Sequence, residues 1–162
     1  MLRLITGSLS PTKGRVTINI NKRCGISYVP QNPILSLLAP TVKECIELII
    51  SCCKTQYSNI LKIIESLNLD QYLEYPIAKL SLGLRRRLAL ALALGAGSEL
   101  ILLDEPTTAL DPETRSQVID MLTNIPSNVS MIISTHDIMF LEMISNRIFK
   151  LRNEFIERVE RP

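Results

Sequence analysis

Two short apolar runs that each end in polar side chains constrain the fold of this chain more than any other feature. The first run, at 100–103, leads directly into Asp104 and Glu105. The second, at 129–134, is followed by His136, which is the only histidine in 162 residues. A helix is predicted between the two runs, so they should form parallel strands of one sheet. Because open α/β sheets bind ligands at the carboxyl ends of their strands, we expect Asp104, Glu105 and His136 to meet in a binding site.

The rest of the pattern predicts a mostly parallel α/β sheet with an inserted helical lobe. Further strands are expected at 15–20, 25–29 and 148–151, and helices at about 112–124 and 138–145. No strand is expected between about 41 and 94. We therefore predict a single domain over 1–162, in which a helical lobe occupies approximately 41–94.

Two helix starts are recognisable within this lobe. Thr41 and Glu44 have the spacing of a capping box, in which each side chain bonds the backbone N–H of the other residue. Ser81 is a suitable N-cap for a later helix that should end by Gly95 or Gly97.

Composition and charge exclude several classes of protein. With 46% hydrophobic residues, the chain can bury a sizeable core. Its longest apolar stretch, at about 88–96, is roughly half of the ~18 residues that a membrane-spanning helix needs. The net charge is only +2 and the basic residues form no stripe, which argues against a nucleic-acid-binding surface.

The four cysteines, Cys24, Cys45, Cys52 and Cys53, do not have the spacing of a metal site. We interpret them as small buried hydrophobic residues in a reducing compartment. The alternative is a redox switch formed by the adjacent pair Cys52 and Cys53.

The paired carboxylates of Asp104 and Glu105 favour a phosphoryl-transfer site. A buried apolar strand seldom ends in two adjacent acids without a cation to neutralise them. In such sites the first acid holds Mg²⁺, and the second orients or deprotonates the attacking water. The alternative is a strand that ends in solvent, where one of the two acids caps the next turn.

His136 and Gln31 are weaker candidates for the same site. An imidazole at the end of a strand can donate a hydrogen bond to a γ-phosphate, although a lone histidine more often packs or caps locally. Gln31 follows the predicted strand at 25–29 and could reach Mg²⁺ or water through its side-chain carbonyl. By itself, its Pro-Gln-Asn-Pro context is that of an ordinary turn.

The segment that begins Ser81-Leu82-Gly83 and continues into Arg85, Arg86 and Arg87 could bind an anion. Exposed N–H groups and the helix dipole make a helix N-terminus electropositive. Taken alone, the segment is better interpreted as a capped helix whose arginines form a solvated face.

Five motifs occur in an order that resembles the ATP-binding cassette (ABC) family, which has a P-loop NTPase-like fold. That family names them the Q-loop, signature, Walker B, D-loop and H-loop. The matching segments are Tyr28-Val29-Pro30-Gln31, Leu80-Ser81-Leu82-Gly83, the run from Leu100 to Pro106, Ala109-Leu110-Asp111, and Ser134-Thr135-His136-Asp137.

The resemblance implies a role in ATP hydrolysis for the residues at the strand ends. Asp104 would hold Mg²⁺ with the assistance of Gln31. Glu105 would be the general base, and His136 would contact the γ-phosphate. The implied cofactors are therefore ATP and Mg²⁺.

The resemblance also implies partners. Ser81 and Gly83 would reach ATP bound by a second cassette, identical or different, and Asp111 would lie at the interface between the two. Transmembrane permease subunits would hold the pair at the inner face of the cell membrane. No nucleic-acid partner is expected.

The sequence departs from the family pattern in two places. It contains no Walker A motif with its lysine, and no adenine-stacking aromatic precedes the matched motifs. Leu82 and Leu84 stand where the family usually has glycine and often glutamine. We therefore expect an N-terminally incomplete cassette that binds ATP weakly or not at all by itself.

Three functions remain open at this point. The first is the ATP-hydrolysing subunit of a membrane transporter, favoured by Asp104, Glu105 and His136. The second is a degenerate, non-catalytic module that lends Ser81 and Gly83 to a complete partner cassette. A soluble ABC ATPase that takes no part in transport ranks third.

Overall fold

The computed structural model of the protein describes residues 1–20, 24–152 and 155–159. The helices are α1 (Leu2–Ile5), α2 (Val42–Cys53), α3 (Tyr57–Ser66), α4 (Leu82–Gly95), α5 (Pro112–Thr123) and α6 (Ile138–Ile144). The strands are β1 (Ile26–Val29), β2 (Leu100–Asp104), β3 (Ser130–Ser134), β4 (Ile148–Arg152) and β5 (Phe155–Val159). Short 3-10 turns lie at Pro33–Ser36, Asp70–Tyr72 and Ile77–Lys79.

The first three strands form a parallel sheet in the order β1-β2-β3. Leu103 of the central strand is in register with Val29 on one side and Ile133 on the other. The last pair in the register joins Asp104 to Ser134, so the carboxyl ends of these strands lie at one edge. This confirms the parallel α/β arrangement predicted from the two apolar runs.

The chain between β1 and β2 is helical, as its periodicity predicts. The capping box at the start of α2 is formed: Thr41 Oγ1 accepts from the Glu44 N–H at 3.3 Å, and the Glu44 carboxylate accepts from the Thr41 N–H at 2.9 Å. At the start of α4, Ser81 Oγ accepts from the Leu84 N–H at 3.2 Å. Both predicted N-caps are confirmed.

The core lies where α3 and α4 pack together and where α4 meets the sheet. Gly95, the last residue of α4, permits a close helix crossing, because a Cβ there would lie 2.6 Å from Ile60 Cγ1. Ile60 itself is fully buried. The other fully buried large side chains are Phe140, Ile46, Ile64, Leu67, Leu69, Leu88, Leu90, Ile101, Leu102, Leu103 and Val29.

The prediction of a strand at 15–20 is wrong. These residues form no strand, and Val16 is 45% exposed. An alternating segment becomes a strand only when a neighbouring strand supplies hydrogen bonds, and in the described sheet β1 pairs with β2 alone. Conversely, the last predicted strand, β4, pairs with an unpredicted antiparallel partner, β5.

The interpretation of the cysteines is correct only for Cys45, which is buried. Cys24 and Cys53 form a disulfide with a Cα–Cα distance of 5.3 Å, and Cys52 is exposed. Cys24 precedes β1 and Cys53 ends α2, so the chain folds back on itself over a separation of 29 residues. Spacing in the sequence carries no signal for such a long-range contact.

Among the helices within 1–20, 24–152 and 155–159, none is long and apolar enough to cross a bilayer.

Candidate functional site

The site is built on the turn that follows β2. The Glu105 N–H donates to the Ser134 carbonyl at 2.8 Å, so the pairing of β2 with β3 extends one residue beyond Asp104. Glu105 then adopts a left-handed backbone conformation with φ of 51°. Non-glycine residues are uncommon in this region, where single positions often belong to functional sites. The turn brings the Glu105 side chain back over the end of β3.

Both carboxylate oxygens of Glu105 are hydrogen-bonded. Oε1 accepts from the His136 N–H at 3.1 Å and lies 2.8 Å from His136 Nδ1. Oε2 accepts from the hydroxyls of Thr135 at 3.0 Å and Thr108 at 3.1 Å. Glu105 therefore joins the ends of β2 and β3 through side-chain contacts, and its side chain is only 16% exposed.

These contacts shift the pKa values of both members of the Glu105–His136 pair. Burial raises the pKa of the Glu105 carboxyl, but the hydrogen bonds from His136, Thr135 and Thr108 outweigh burial and leave it below its ordinary value. The hydrogen bond to Glu105 and its negative charge raise the pKa of His136. The pair therefore favours an ionised carboxylate beside a protonated imidazole.

The His136 ring is oriented by this contact. Its side chain is 81% exposed, yet Nδ1 is bound to Glu105. The other ring nitrogen, Nε2, is left to face a ligand. A protonated imidazole held in this way presents an N–H donor to an anion such as phosphate.

Asp104 faces a cavity with a volume of about 1050 Å³. Ser134, Thr135 and His136 line the same cavity. The Tyr28 hydroxyl donates to Asp104 Oδ2 at 3.5 Å, and no other hydrogen bond to this carboxylate occurs in the described residues.

The donors around Asp104 suit Mg²⁺. Its carboxylate oxygens are hard ligands, which Mg²⁺ prefers. Asp104 lines a cavity large enough for a phosphate group, although most of the cavity's lining residues are apolar. No cluster of three or more His, Cys, Asp or Glu residues that could hold a metal occurs in the described part of the chain.

The turn after His136 is fixed by Asp137. Its Oδ1 caps α6 by accepting from the Phe140 N–H at 3.0 Å, and its Oδ2 binds Arg115 at 2.8 Å. The hydrogen bond from Arg115, followed by that from Phe140, lowers the pKa of Asp137. This anchoring holds the backbone that carries His136.

Arg86 is buried beneath the same turn, with 4% exposure. Its guanidinium donates to the Glu105 carbonyl and, at 2.8 Å, to the Gln31 carbonyl. Arg85 and Arg87 also donate to backbone carbonyls, those of Ile77, Ala78 and Leu67. The prediction of a solvated arginine face is therefore wrong, because these side chains satisfy carbonyls at the ends of neighbouring turns.

The other predicted site residues have no contact with the Glu105–His136 pair. Gln31 is exposed, and among the residues that the structure describes its one hydrogen bond is that from Arg86 to its backbone carbonyl. Ser81 caps α4, and Gly83 has open space where a Cβ would lie. Asp111 caps α5 by accepting from the Thr114 N–H at 2.9 Å, a bond that lowers its pKa.

Sequence reasoning missed Thr108, Thr135 and Arg86. The position of Thr135, a hydroxyl residue directly before His136, could have identified it. For Arg86 the signal was its helical face, because Ala89, Leu90 and Ala93 follow at the third, fourth and seventh positions and are all buried. Nothing in the sequence pointed to Thr108.

Comparisons with known proteins agree with this geometry. A family model described as ABC transporter matches residues 1–108. The energy-coupling factor transporter ATP-binding protein EcfA of Methanococcus maripaludis is 29% identical over 153 residues, covering 91% of this chain and 54% of its own length. The EcfA protein of Methanocaldococcus jannaschii is 30% identical over 159 residues, covering 88% of this chain and 57% of its own length.

Solved structures show the same relationship. The dimeric post-hydrolysis state of the ATP-binding cassette MJ0796, bound to ADP and Pi, superposes with a TM-score of 0.81 at 26% identity. That match covers 97% of this chain and 77% of the other. The present chain spans about half the length of the EcfA relatives that it matches.

Proposed function

Because the chain belongs to the ABC transporter family, we propose that it is part of the ATP-hydrolysing subunit of a membrane transporter. The proposal rests above all on one observation: Asp104, Glu105 and His136 converge at the carboxyl edge of a parallel sheet, where Asp104 and His136 border one cavity and Glu105 binds His136. The EcfA relatives are named as ATP-binding proteins of transporters, which supports the same assignment.

We propose that Asp104 holds Mg²⁺ through its carboxylate. When bound, the ion would neutralise charge on the phosphates as the γ-phosphoryl group departs. Gln31 is the second candidate ligand, since it lies in the turn after β1 and its side chain is exposed.

Glu105 and His136 act on the attacking water and on the γ-phosphate, respectively. The lowered pKa of Glu105 keeps its carboxylate ionised. As general base it would accept a proton from the attacking water in exchange for one of the four hydrogen bonds that it accepts here. His136, oriented through Nδ1, directs its Nε2–H at the γ-phosphate. Raising the pKa of the imidazole favours the protonated form, which strengthens that contact.

A second cassette completes the nucleotide site. We propose that the N-terminus of α4, with Ser81 exposed and Gly83 open, contacts ATP held by the partner. Asp111, exposed at the start of α5, lies at the interface between the two. Transmembrane subunits would place the pair at the inner face of the membrane.

The test is ATP hydrolysis by the full-length product of the gene, with and without Mg²⁺. We expect Mg²⁺-dependent turnover that Glu105→Gln reduces by about 10²-fold or more. Glu113→Gln, the same change at an exposed position in the first turn of α5, is the matched control and should retain turnover. Equal turnover in the two variants would remove Glu105 from the mechanism.

One observation favours the alternative of a non-catalytic module. Leu82, the first residue of α4, has a side chain that is 50% exposed directly after Ser81, where it would crowd a phosphate approaching the helix N-terminus. For such a module, the full-length protein would lack turnover alone and stimulate turnover by a complete partner cassette. Glu105→Gln would leave that stimulation unchanged.

A further inference from the structure

Two loops that carry site residues are joined beneath the site by one buried side chain. Gln31 follows β1 and Glu105 follows β2, and 74 positions of sequence separate them. Arg86, on α4, donates one guanidinium nitrogen to each of their backbone carbonyls. We infer that Arg86 is a positioning residue that couples the Gln31 loop to the Glu105 turn, an inference that rests on the proposed function.

The arrangement depends on the shape of the guanidinium. NH1 reaches the Glu105 carbonyl and NH2 reaches the Gln31 carbonyl, so a planar fork spans the two loops. A lysine ammonium could reach one carbonyl while keeping the charge, but it has no second arm in a fixed geometry. Arg86 is 4% exposed, so water does not replace either partner.

The Gln31 loop depends on Arg86 more than the Glu105 turn does, because the Glu105 N–H also binds Ser134 and its carboxylate binds His136 and two threonines. At Gln31, no other hydrogen bond is made by the described backbone or side chain. At Glu105, the carbonyl is also the acceptor for the Thr108 N–H at 3.3 Å, which shapes the turn that supplies the Thr108 hydroxyl. Displacement of this carbonyl therefore moves the turn that orients both Glu105 and, through it, His136.

Arg86 therefore links the position of α4 to the position of the Glu105 turn. Arg86 lies on α4, whose first turn carries Gly83 and begins at Ser81. A ligand that shifts this helix, or a partner that shifts the Gln31 loop, changes the position of the Glu105 carbonyl through the same guanidinium. Arg86 is buried and binds these two carbonyls, so we expect its main effect on kcat through Glu105 and a smaller effect on nucleotide binding through the Gln31 loop.

The test compares Arg86→Gln and Arg86→Lys with Arg85→Gln in the full-length gene product. Arg85 is a matched control because it too donates to two backbone carbonyls, those of Ile77 and Ala78, away from the acids. We expect kcat for Mg²⁺-ATP to fall about 10–100-fold in both Arg86 variants, with KM within about threefold of the parent. Arg85→Gln should retain the parental kcat.

Amide hydrogen exchange supplies a readout that does not depend on turnover. In the Arg86 variants, exchange should accelerate together at 31–36 and 105–110, whereas Arg85→Gln should leave both segments unchanged. If Arg86→Gln does not fold, Arg86→Lys, which keeps the charge, gives the same comparison. Acceleration at only one segment, or at neither, overturns the inference.

The outcomes separate the two proposals. If the parent hydrolyses ATP and Glu105→Gln does not, but Arg86→Gln matches Arg85→Gln in kcat, the positioning role alone is wrong. If the parent and Glu105→Gln are indistinguishable, the proposed function is wrong, and the exchange experiment alone decides whether Arg86 couples the loops.

Discussion

Breaking the Cys24–Cys53 disulfide should destabilise the protein substantially. The bond closes a loop with a sequence separation of 29 residues, which contains β1 and α2. For a loop of this length, the chain-entropy relation gives about 3.6 kcal/mol of stabilisation, because the cross-link restricts the unfolded chain. That is a large part of a typical stability of roughly 5–15 kcal/mol. For a chain of this size it corresponds to a fall in Tm of roughly 7–14 °C.

Thermal unfolding with and without a reducing agent measures this effect. Cys53→Ser should reproduce the fall in Tm, while Cys52→Ser, at the exposed neighbouring thiol, should not. Thiol titration of the unfolded, unreduced chain should find the two free thiols of Cys45 and Cys52, and reduction should raise the total to four. Four reactive thiols before reduction, or equal Tm values for the two serine variants, would refute the reasoning.

Two further predictions concern the site and the core. Because the chain has one histidine, an NMR titration follows the imidazole of His136 without overlap from other histidines. Glu105→Gln should lower the raised pKa of His136. An unchanged titration would contradict the ion pair. The pair should stabilise the fold between the ordinary pKa values of the two groups. This contribution is lost as pH falls through the lowered pKa of Glu105 or rises through the raised pKa of His136. Gly95→Ala should lower the free energy of unfolding, measured in urea, by about 0–2 kcal/mol. Overpacking against Ile60 costs about 1–3 kcal/mol, and the better helix propensity of alanine offsets about 1 kcal/mol of that cost. A stabilised variant would contradict the close crossing.

The elements that sequence predicted well are those specified by local chemistry. The apolar run at 100–103 becomes the buried central strand, and Thr41 and Ser81 cap the helices that they were expected to cap. Each of these outcomes depends on residues within a few positions of one another. Periodicity and capping are therefore sufficient to predict them.

The features that were missed depend on residues far apart in the chain. The segment at 15–20 alternates as a strand should, but no neighbouring strand pairs with it. Cys24 and Cys53 meet only because the intervening chain folds back. Arg86 belongs to a run of three arginines that resembles a solvated face, and its burial follows from two carbonyls that tertiary structure places beside it.

The same distinction explains the organisation of the site. The motif residues Asp104, Glu105 and His136 follow two parallel strands that end at one edge, as the sequence predicts. Their chemical state depends on contacts that it does not predict. Hydrogen bonds from His136, Thr135 and Thr108 keep the Glu105 carboxylate ionised, and Glu105 in turn orients the His136 ring. A motif match therefore identifies which groups can act, while the surrounding hydrogen bonds determine the protonation state and the direction in which they act.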